Sequence, residues 1–267
     1  MKKLFKFTIP VLAIMLGVAS CDKGTTTTTP TTPNTPTPST PSAPTPMTPG
    51  VGTGGNYWGV MVALKMQFSY AVTGAPFPVS IDYDMGLANF YNGAGSSTLV
   101  DAGTVSINSN NLEKQSSGSY YLSATTGLTP STLGLTSGVQ WQVAGGNGIP
   151  SINYNHSGSF PGYSGTLPSE INRSQDLVID LGSDVTGADS VYVVIITSNK
   201  QIIKAYDGSP APAKATITAA ELGALPAVSD NTAYLEVVPF TYKTPTISGK
   251  QFVSIKETAA VTSVTIK

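Results

Sequence analysis

The feature that most constrains the fold is a run of alternating side chains early in the chain, from residue 58 to residue 72. Apolar residues occupy every second position, and smaller or polar residues mostly lie between them. A period of two places alternate side chains on opposite faces of an extended strand, whereas an amphipathic helix needs a period near 3.6. The run therefore predicts a half-buried β-strand. Its apolar positions are Trp58, Val60, Val62, Leu64, Met66, Phe68, Tyr70 and Val72.

Shorter strand-like runs follow, separated by turns. With 27 Gly and 20 Pro in 267 residues, they are typical of an all-β protein with many turns. Residues 190–197 are apolar on both faces, which predicts a central strand. Only residues 218–222 resemble a helix, because Thr218 and Glu221 have the spacing of a capping box. The remaining predicted strands cover residues 79–83, 99–108, 119–123, 139–143, 176–181, 201–206, 233–242, 251–256 and 261–266.

These strands predict two β-sandwich modules, because many short strands at regular spacing favour that architecture. The first module covers residues 51–155 and the second covers residues 156–267. Residues 149–168, rich in Gly, Ser and aromatics, are interpreted as a long connection between them. The second half resembles immunoglobulin-like or fibronectin-like modules in general pattern, but it lacks paired cysteines. A single large sandwich is the alternative.

Residues 25–49 are almost entirely Thr, Pro and Ser. Such a segment has little apolar surface to bury, and its prolines disfavour helix and sheet. We expect residues 21–50 to form a disordered Thr/Pro-rich tether. At about 3.1 Å per residue, the Thr/Pro segment reaches no more than about 75 Å.

Residues 1–20 have the organisation of a signal peptide. A short cationic start with Lys2, Lys3 and Lys6 precedes an apolar stretch from residue 7 to residue 18, which is too short for a permanent membrane span. The stretch ends in Val18-Ala19-Ser20-Cys21. This sequence resembles the lipobox of bacterial lipoprotein precursors, which has an aliphatic residue, two small residues and a cysteine. The alternative is a plain secretory signal with a chance cysteine.

The resemblance implies a diacylglyceryl thioether on Cys21, cleavage before it and acylation of the new amine. Two or three acyl chains would anchor the protein stably to a membrane. Cys21 is the only cysteine, so we expect no disulfide, and no cofactor besides this covalent lipid. Asp22 follows the lipidated residue. In enterobacteria an aspartate at this position tends to keep a lipoprotein on the inner membrane, but other Gram-negative lineages do not follow that rule. We expect location in the cell envelope, at the outer membrane.

Charge and motifs exclude several function classes. The net charge is −1 and no basic patch is evident, so nucleic acid is not an expected partner. His156 is the only histidine, and the sequence contains no phosphate loop, dinucleotide fingerprint or nucleophile elbow. We therefore predict no catalytic residues.

Two groups of carboxylates are candidate sites. Asp82 and Asp84 lie two residues apart and share one face of a strand, as a hydrolase pair or as part of a solvated face. Asp180, Asp184 and Asp189 flank a Gly-containing turn and are a candidate metal site, because calcium prefers oxygen ligands. Turn formation by these aspartates is the simpler interpretation.

An aromatic loop within the connection is a candidate glycan-binding site. It contains Tyr154, His156, Phe160 and Tyr163 among Gly, Ser and Asn residues. Aromatic faces beside polar donors can stack on a sugar and hydrogen-bond to it. The alternative is that these rings pack between the two modules.

Three functions follow from these observations. The leading hypothesis is a non-catalytic, lipid-anchored envelope protein that displays β-sandwich modules to bind or scaffold an extracellular partner. The second hypothesis is a glycan-binding lipoprotein that uses residues 154–163. A hydrolase that uses Asp82 and Asp84 is the third. The expected partners are the membrane, through the lipid, and a glycan or an envelope protein.

Overall fold

The computed structural model describes residues 57–70, 79–122, 133–208 and 211–267. This part of the chain is predominantly β, which confirms the all-β prediction at that level. All of it lies within one compact unit, Pro49–Lys267. Among these residues no helix is sufficiently long and apolar to cross a membrane. The predicted signal peptide and tether lie outside the described residues.

The described elements are named in chain order. In the first half they are β1 (Gly59–Tyr70), β2 (Val79–Phe90), β3 (Val105–Ile107), β4 (Asn110–Asn111), β5 (Glu113–Lys114), β6 (Tyr120–Leu122), β7 (Val139–Val143) and β8 (Ile152–His156). In the second half they are β9 (Gly162–Tyr163), β10 (Glu170–Ile171), β11 (Leu177–Asp180), β12 (Val185–Thr186), β13 (Ser190–Ile196), β14 (Gln201–Asp207), β15 (Lys214–Ile217), α1 (Ala219–Leu222), β16 (Val228–Lys243), β17 (Thr246–Ile247) and β18 (Lys250–Ile266).

A ten-stranded sheet, here called the large sheet, organises the fold. Its main order is β14-β13-β16-β18-β1-β2-β6-β5, and β10 and β17 also pair with β18. The long strand β18 pairs in antiparallel orientation with β16 and in parallel orientation with β1. The sheet therefore contains strands from both predicted modules. The predicted boundary between residues 155 and 156 falls within β8.

A four-stranded antiparallel sheet, here called the covering sheet, has the order β4-β3-β7-β8. Its inward side chains join those of β1, β2, β6 and β18 in a first hydrophobic cluster. Trp141 from β7 is fully buried there, with Phe90 and Phe252 from the large sheet. Burial of such large side chains is the main force that holds the two sheets together.

A second hydrophobic cluster lies further along the large sheet. It combines side chains of β13, β16 and the end of β18 with those of β11, β15 and α1. Val193, Val264 and Leu222 are fully buried in it. Phe252 of the first cluster and Val264 of the second lie an even number of residues apart on β18, so their side chains point to the same face of that strand. Both clusters therefore lie on the same face of β18.

Several local predictions are confirmed. The alternating run forms β1, and the apolar run at residues 190–197 forms β13 between β14 and β16. However, β1 is not half-buried as predicted, because Met61 on one face and Leu64 on the other are both buried. The capping box also forms, since the Thr218 side chain accepts from the Glu221 N–H and the Glu221 side chain accepts from the Thr218 N–H.

Two further local predictions are wrong, besides the strand predicted at residues 99–108, which forms only over Val105–Ile107. The connection at residues 149–168 contains strands β8 and β9, so it is not one irregular loop. Residues 251–256 and 261–266 belong to a single strand, because β18 continues through the polar residues between them. In both places polar side chains obscure the apolar pattern on which a strand prediction depends.

Candidate functional site

The four residues of the predicted glycan loop pack against the hydrophobic clusters. Tyr154 and Phe160 are half-buried against the first cluster. Tyr163 is buried in the second cluster, and His156 is only 2% exposed. A stacked sugar needs an open aromatic face, and none of these four side chains is exposed. The geometry gives them a packing role.

A side chain of β18 holds His156 in place through a hydrogen bond. Its Nδ1 atom and the hydroxyl oxygen of Ser254 are hydrogen-bonded at 3.0 Å. Burial, together with the positive charges of Lys256 and Lys243, lowers the pKa of His156 to about 4, against a smaller opposing effect of Asp189. The imidazole is therefore neutral at pH 7, which suits a structural hydrogen bond in a buried position.

Residues 156–161, from the last residue of β8 onward, cross the polar stretch of β18 between the two clusters. Lys256 is 1% exposed, and its ammonium donates to the carbonyl oxygens of Ser157, Gly158 and Ser159 at 2.8, 2.6 and 3.1 Å. The Thr258 hydroxyl donates to the carbonyl oxygen of Pro161, two residues further along, at 2.7 Å. We call residues 156–161 the crossing segment.

The ring of Phe160 adds a cation–π contact to this arrangement. The ammonium groups of Lys65 and Lys256 lie 5.7 and 5.5 Å from its centroid. Each ammonium group is attracted to the ring face, and the partly buried setting strengthens the contact. The crossing segment is therefore held by lysine side chains from β1 and β18.

Asp82 and Asp84 lie on the same face of β2, as predicted, but their surroundings differ. The Asp84 carboxylate accepts hydrogen bonds from the backbone N–H groups of Leu133 and Leu135 at 3.0 and 3.4 Å. Asp82 is exposed, opposite Gln67 of β1. One carboxylate anchors a loop and the other faces solvent.

The structure does not bring Asp180, Asp184 and Asp189 together. Asp180 forms an exposed ion pair with Lys214 at 3.7 Å. The Asp189 carboxylate accepts from the Thr241 hydroxyl at 2.6 Å and from the following backbone N–H at 3.0 Å. No cluster of three or more His, Cys, Asp or Glu side chains suited to a metal ion occurs in the described ranges.

Cys21, the predicted lipidation site, lies outside the described residues. Its modification therefore rests on the sequence alone.

A shallow groove lies on the outward face of the covering sheet, with a volume of about 370 Å³. One row of side chains crosses all four strands at this place, because pairing aligns Asn111, Ser106, Gln142 and Asn153 in successive strands. At about 4.8 Å per strand spacing, the row is about 14 Å long. Further residues that line the groove are Thr104, Val143, Ala144, Ser151 and Ile152.

The groove is polar but carries no ionisable side chain. The Ser106 hydroxyl donates to the Gln142 side-chain oxygen at 3.4 Å, and the Gln140 amide donates to the Asn153 side-chain oxygen at 2.6 Å. With both oxygens engaged, the NH₂ groups of Gln142 and Asn153 have no protein acceptor among the described residues. They are available to a ligand.

Sequence reasoning missed this groove, although a signal was present. Gln140 and Gln142 alternate with the buried residues of β7, and Asn153 and Asn155 alternate with those of β8. Outward positions of a sheet commonly include charged residues, so two adjacent strands with only amides outward are a distinctive pattern. Their adjacency, however, follows only from the strand pairing.

Comparisons with protein-family models, with curated proteins and with solved structures found no match to this chain.

Proposed function

We propose that the protein is a non-catalytic, lipid-anchored protein of the cell envelope, located at the outer membrane. Its Thr/Pro tether would hold a β-sandwich region away from the lipid, where that region binds or scaffolds an extracellular partner. The observation that carries this proposal is Val18-Ala19-Ser20-Cys21 directly after a short apolar stretch, with Cys21 as the only cysteine. A single thiol at the lipobox position is explained by lipid attachment.

The sandwich part of the proposal is supported by the two hydrophobic clusters. The covering sheet packs its inward side chains on the large sheet, and the β11–β15 pair with α1 does so further along. Two packed β layers with a shared apolar interior are the defining feature of a sandwich. The immunoglobulin-like or fibronectin-like topology stays a prediction.

The anchor is tested by Cys21→Ser in the full chain. We expect the native protein in the detergent-extractable membrane fraction and the variant in the soluble fraction. Ser20→Ala is the matched control, because it keeps a small residue before the cysteine and should preserve membrane retention. Mass spectrometry of the mature protein should show the acyl groups on Cys21. A mature native protein without lipid would contradict the proposal.

A further inference from the structure

We infer that the groove on the outward face of the covering sheet is a binding site for an uncharged oligosaccharide. This inference names what the displayed region binds, so it rests on the proposed display function. It moves the binding surface away from the aromatic residues at 154–163, whose side chains are buried or half-buried.

The charge of the lining selects the ligand class. An anionic ligand would need Lys, Arg or a helix N-terminus, and a metal ion would need carboxylates. The side chains that reach the groove are amides, hydroxyls and the methyl group of Ala144, because those of Val143 and Ile152 are buried in the first cluster. They offer no charge to compensate that of an ionic ligand. A neutral polar ligand therefore has the lowest desolvation cost at this site.

The hydrogen-bonding capacity of the row selects hydroxyl groups in particular. A primary amide combines two donors with an acceptor, and a sugar hydroxyl both donates and accepts. The NH₂ groups of Gln142 and Asn153 remain as donors, while Asn111 has no side-chain hydrogen bond within the described part of the chain. These groups lie in one row fixed by strand register.

The row is also partly preorganised. The hydrogen bonds from Ser106 to Gln142 and from Gln140 to Asn153 restrict the rotamers of the two acceptor side chains before a ligand binds. The strand beneath is fixed by the buried side chain of Trp141. Side chains ordered in advance lose less conformational entropy on binding, which favours affinity at an otherwise shallow site.

The test uses the full chain, purified in detergent, on an array of neutral oligosaccharides with acidic oligosaccharides and uncharged peptides beside them. We expect binding to at least one neutral oligosaccharide, with little change between low and high salt, because no ion pair contributes. The double variant Gln142→Ala with Asn153→Ala should weaken that binding about tenfold or more. Gln201→Ala, an exposed amide on edge strand β14, is the control and should bind as the native chain does.

Three outcomes would overturn the inference: no binding to any neutral oligosaccharide, a preference for acidic oligosaccharides or peptides, or equal binding by the double variant. Thermal melting of each variant shows that the comparison is made on folded protein. The Cys21→Ser chain separates this inference from the anchor. That chain cannot carry the lipid, so its binding tests the groove without the anchor. If mass spectrometry finds no lipid on the native chain and both chains bind the oligosaccharide, the groove is supported and only the anchoring proposal fails.

Discussion

The ammonium nitrogen of Lys256 lies 2.6 Å from the carbonyl oxygen of Gly158, 98 residues earlier in the chain. This contact ties the crossing segment to the strand at the centre of the large sheet, between the two hydrophobic clusters. Burial, with a smaller effect of Lys243, lowers the pKa of Lys256. Three carbonyl oxygens offset the cost of burying the charge, because each accepts a hydrogen bond from the cation.

Replacing this lysine should destabilise the fold. Lys256→Met keeps a long apolar stem but leaves three backbone carbonyls without their donor, so we expect a loss of about 2–4 kcal/mol in the free energy of unfolding. Lys214→Met is the control, because the Lys214 side chain is 64% exposed in its ion pair with Asp180. It should change stability by no more than about 0.5 kcal/mol. Denaturant unfolding measures both, and equal midpoints for the two variants would contradict the structural role of Lys256.

His156 should make stability depend on pH. Its pKa is about 4 in the folded protein and about 6.5 in an unfolded chain, so the unfolded state takes up the proton first as pH falls. The contribution of His156 to the free energy of unfolding is complete above pH 6.5 and is lost as pH falls to 4. At pH 4 the loss amounts to about 2–3 kcal/mol.

The measurement compares the native chain with His156→Gln across that pH window. The difference in unfolding free energy between them should shift in favour of the variant as pH falls. Because His156 is the only histidine, its NMR titration is unambiguous. A midpoint near 6.5 in the folded protein would show that burial does not affect this ring.

Strands with a local pattern were predictable from the sequence. The alternation in β1 indicates an extended strand, the continuous apolar run in β13 reflects burial on both faces, and the capping box at Thr218 depends on residues three apart. Each of these signals comes from neighbours in the chain, which is why no knowledge of the fold was needed.

Features that depend on distant partners were not predictable in this way. The core face of β18 carries Ser254, Lys256 and Thr258, whose partners belong to the crossing segment. One strand was predicted as two because Glu257 and Thr258 interrupt the apolar pattern between residues 256 and 261. The groove has the same origin, since its row is assembled from four strands and no single segment contains it.

Close packing at the start of β1 gives a further prediction. A Cβ atom at Gly59 would lie 2.6 Å from Cδ1 of Phe90 and 3.0 Å from the carbonyl oxygen of Asn89. We expect Gly59→Ala to cost about 1–3 kcal/mol, because a well-packed core resists added volume. Gly93→Ala is the matched control, since its Cβ would meet nothing within 4 Å. Thermal unfolding should separate the two, and a Gly59→Ala chain as stable as the control would show that this packing is loose.

Glu236 gives the opposite pH dependence to His156. It is buried between Val194 and Val261 of the neighbouring strands, and burial raises its pKa to about 7. Glu257 on the same sheet also has a pKa raised to about 7, by burial and by Glu236, so the two groups titrate together. The folded state holds these protons more tightly than the unfolded chain, so the contribution of these two groups to stability is complete below pH 4.5 and is lost as pH rises through 7.

Glu236→Gln should therefore stabilise the protein at pH 8 by about 1–3 kcal/mol, with little effect at pH 5, where the native glutamate is already protonated. The exposed Glu113 provides the control, because Glu113→Gln removes the same charge without relieving a buried one. Denaturant unfolding at both pH values measures the effect. A Glu236→Gln chain that gains no stability at pH 8 relative to pH 5 would show that this carboxyl reaches water in the folded protein, and that its pKa is not set by burial.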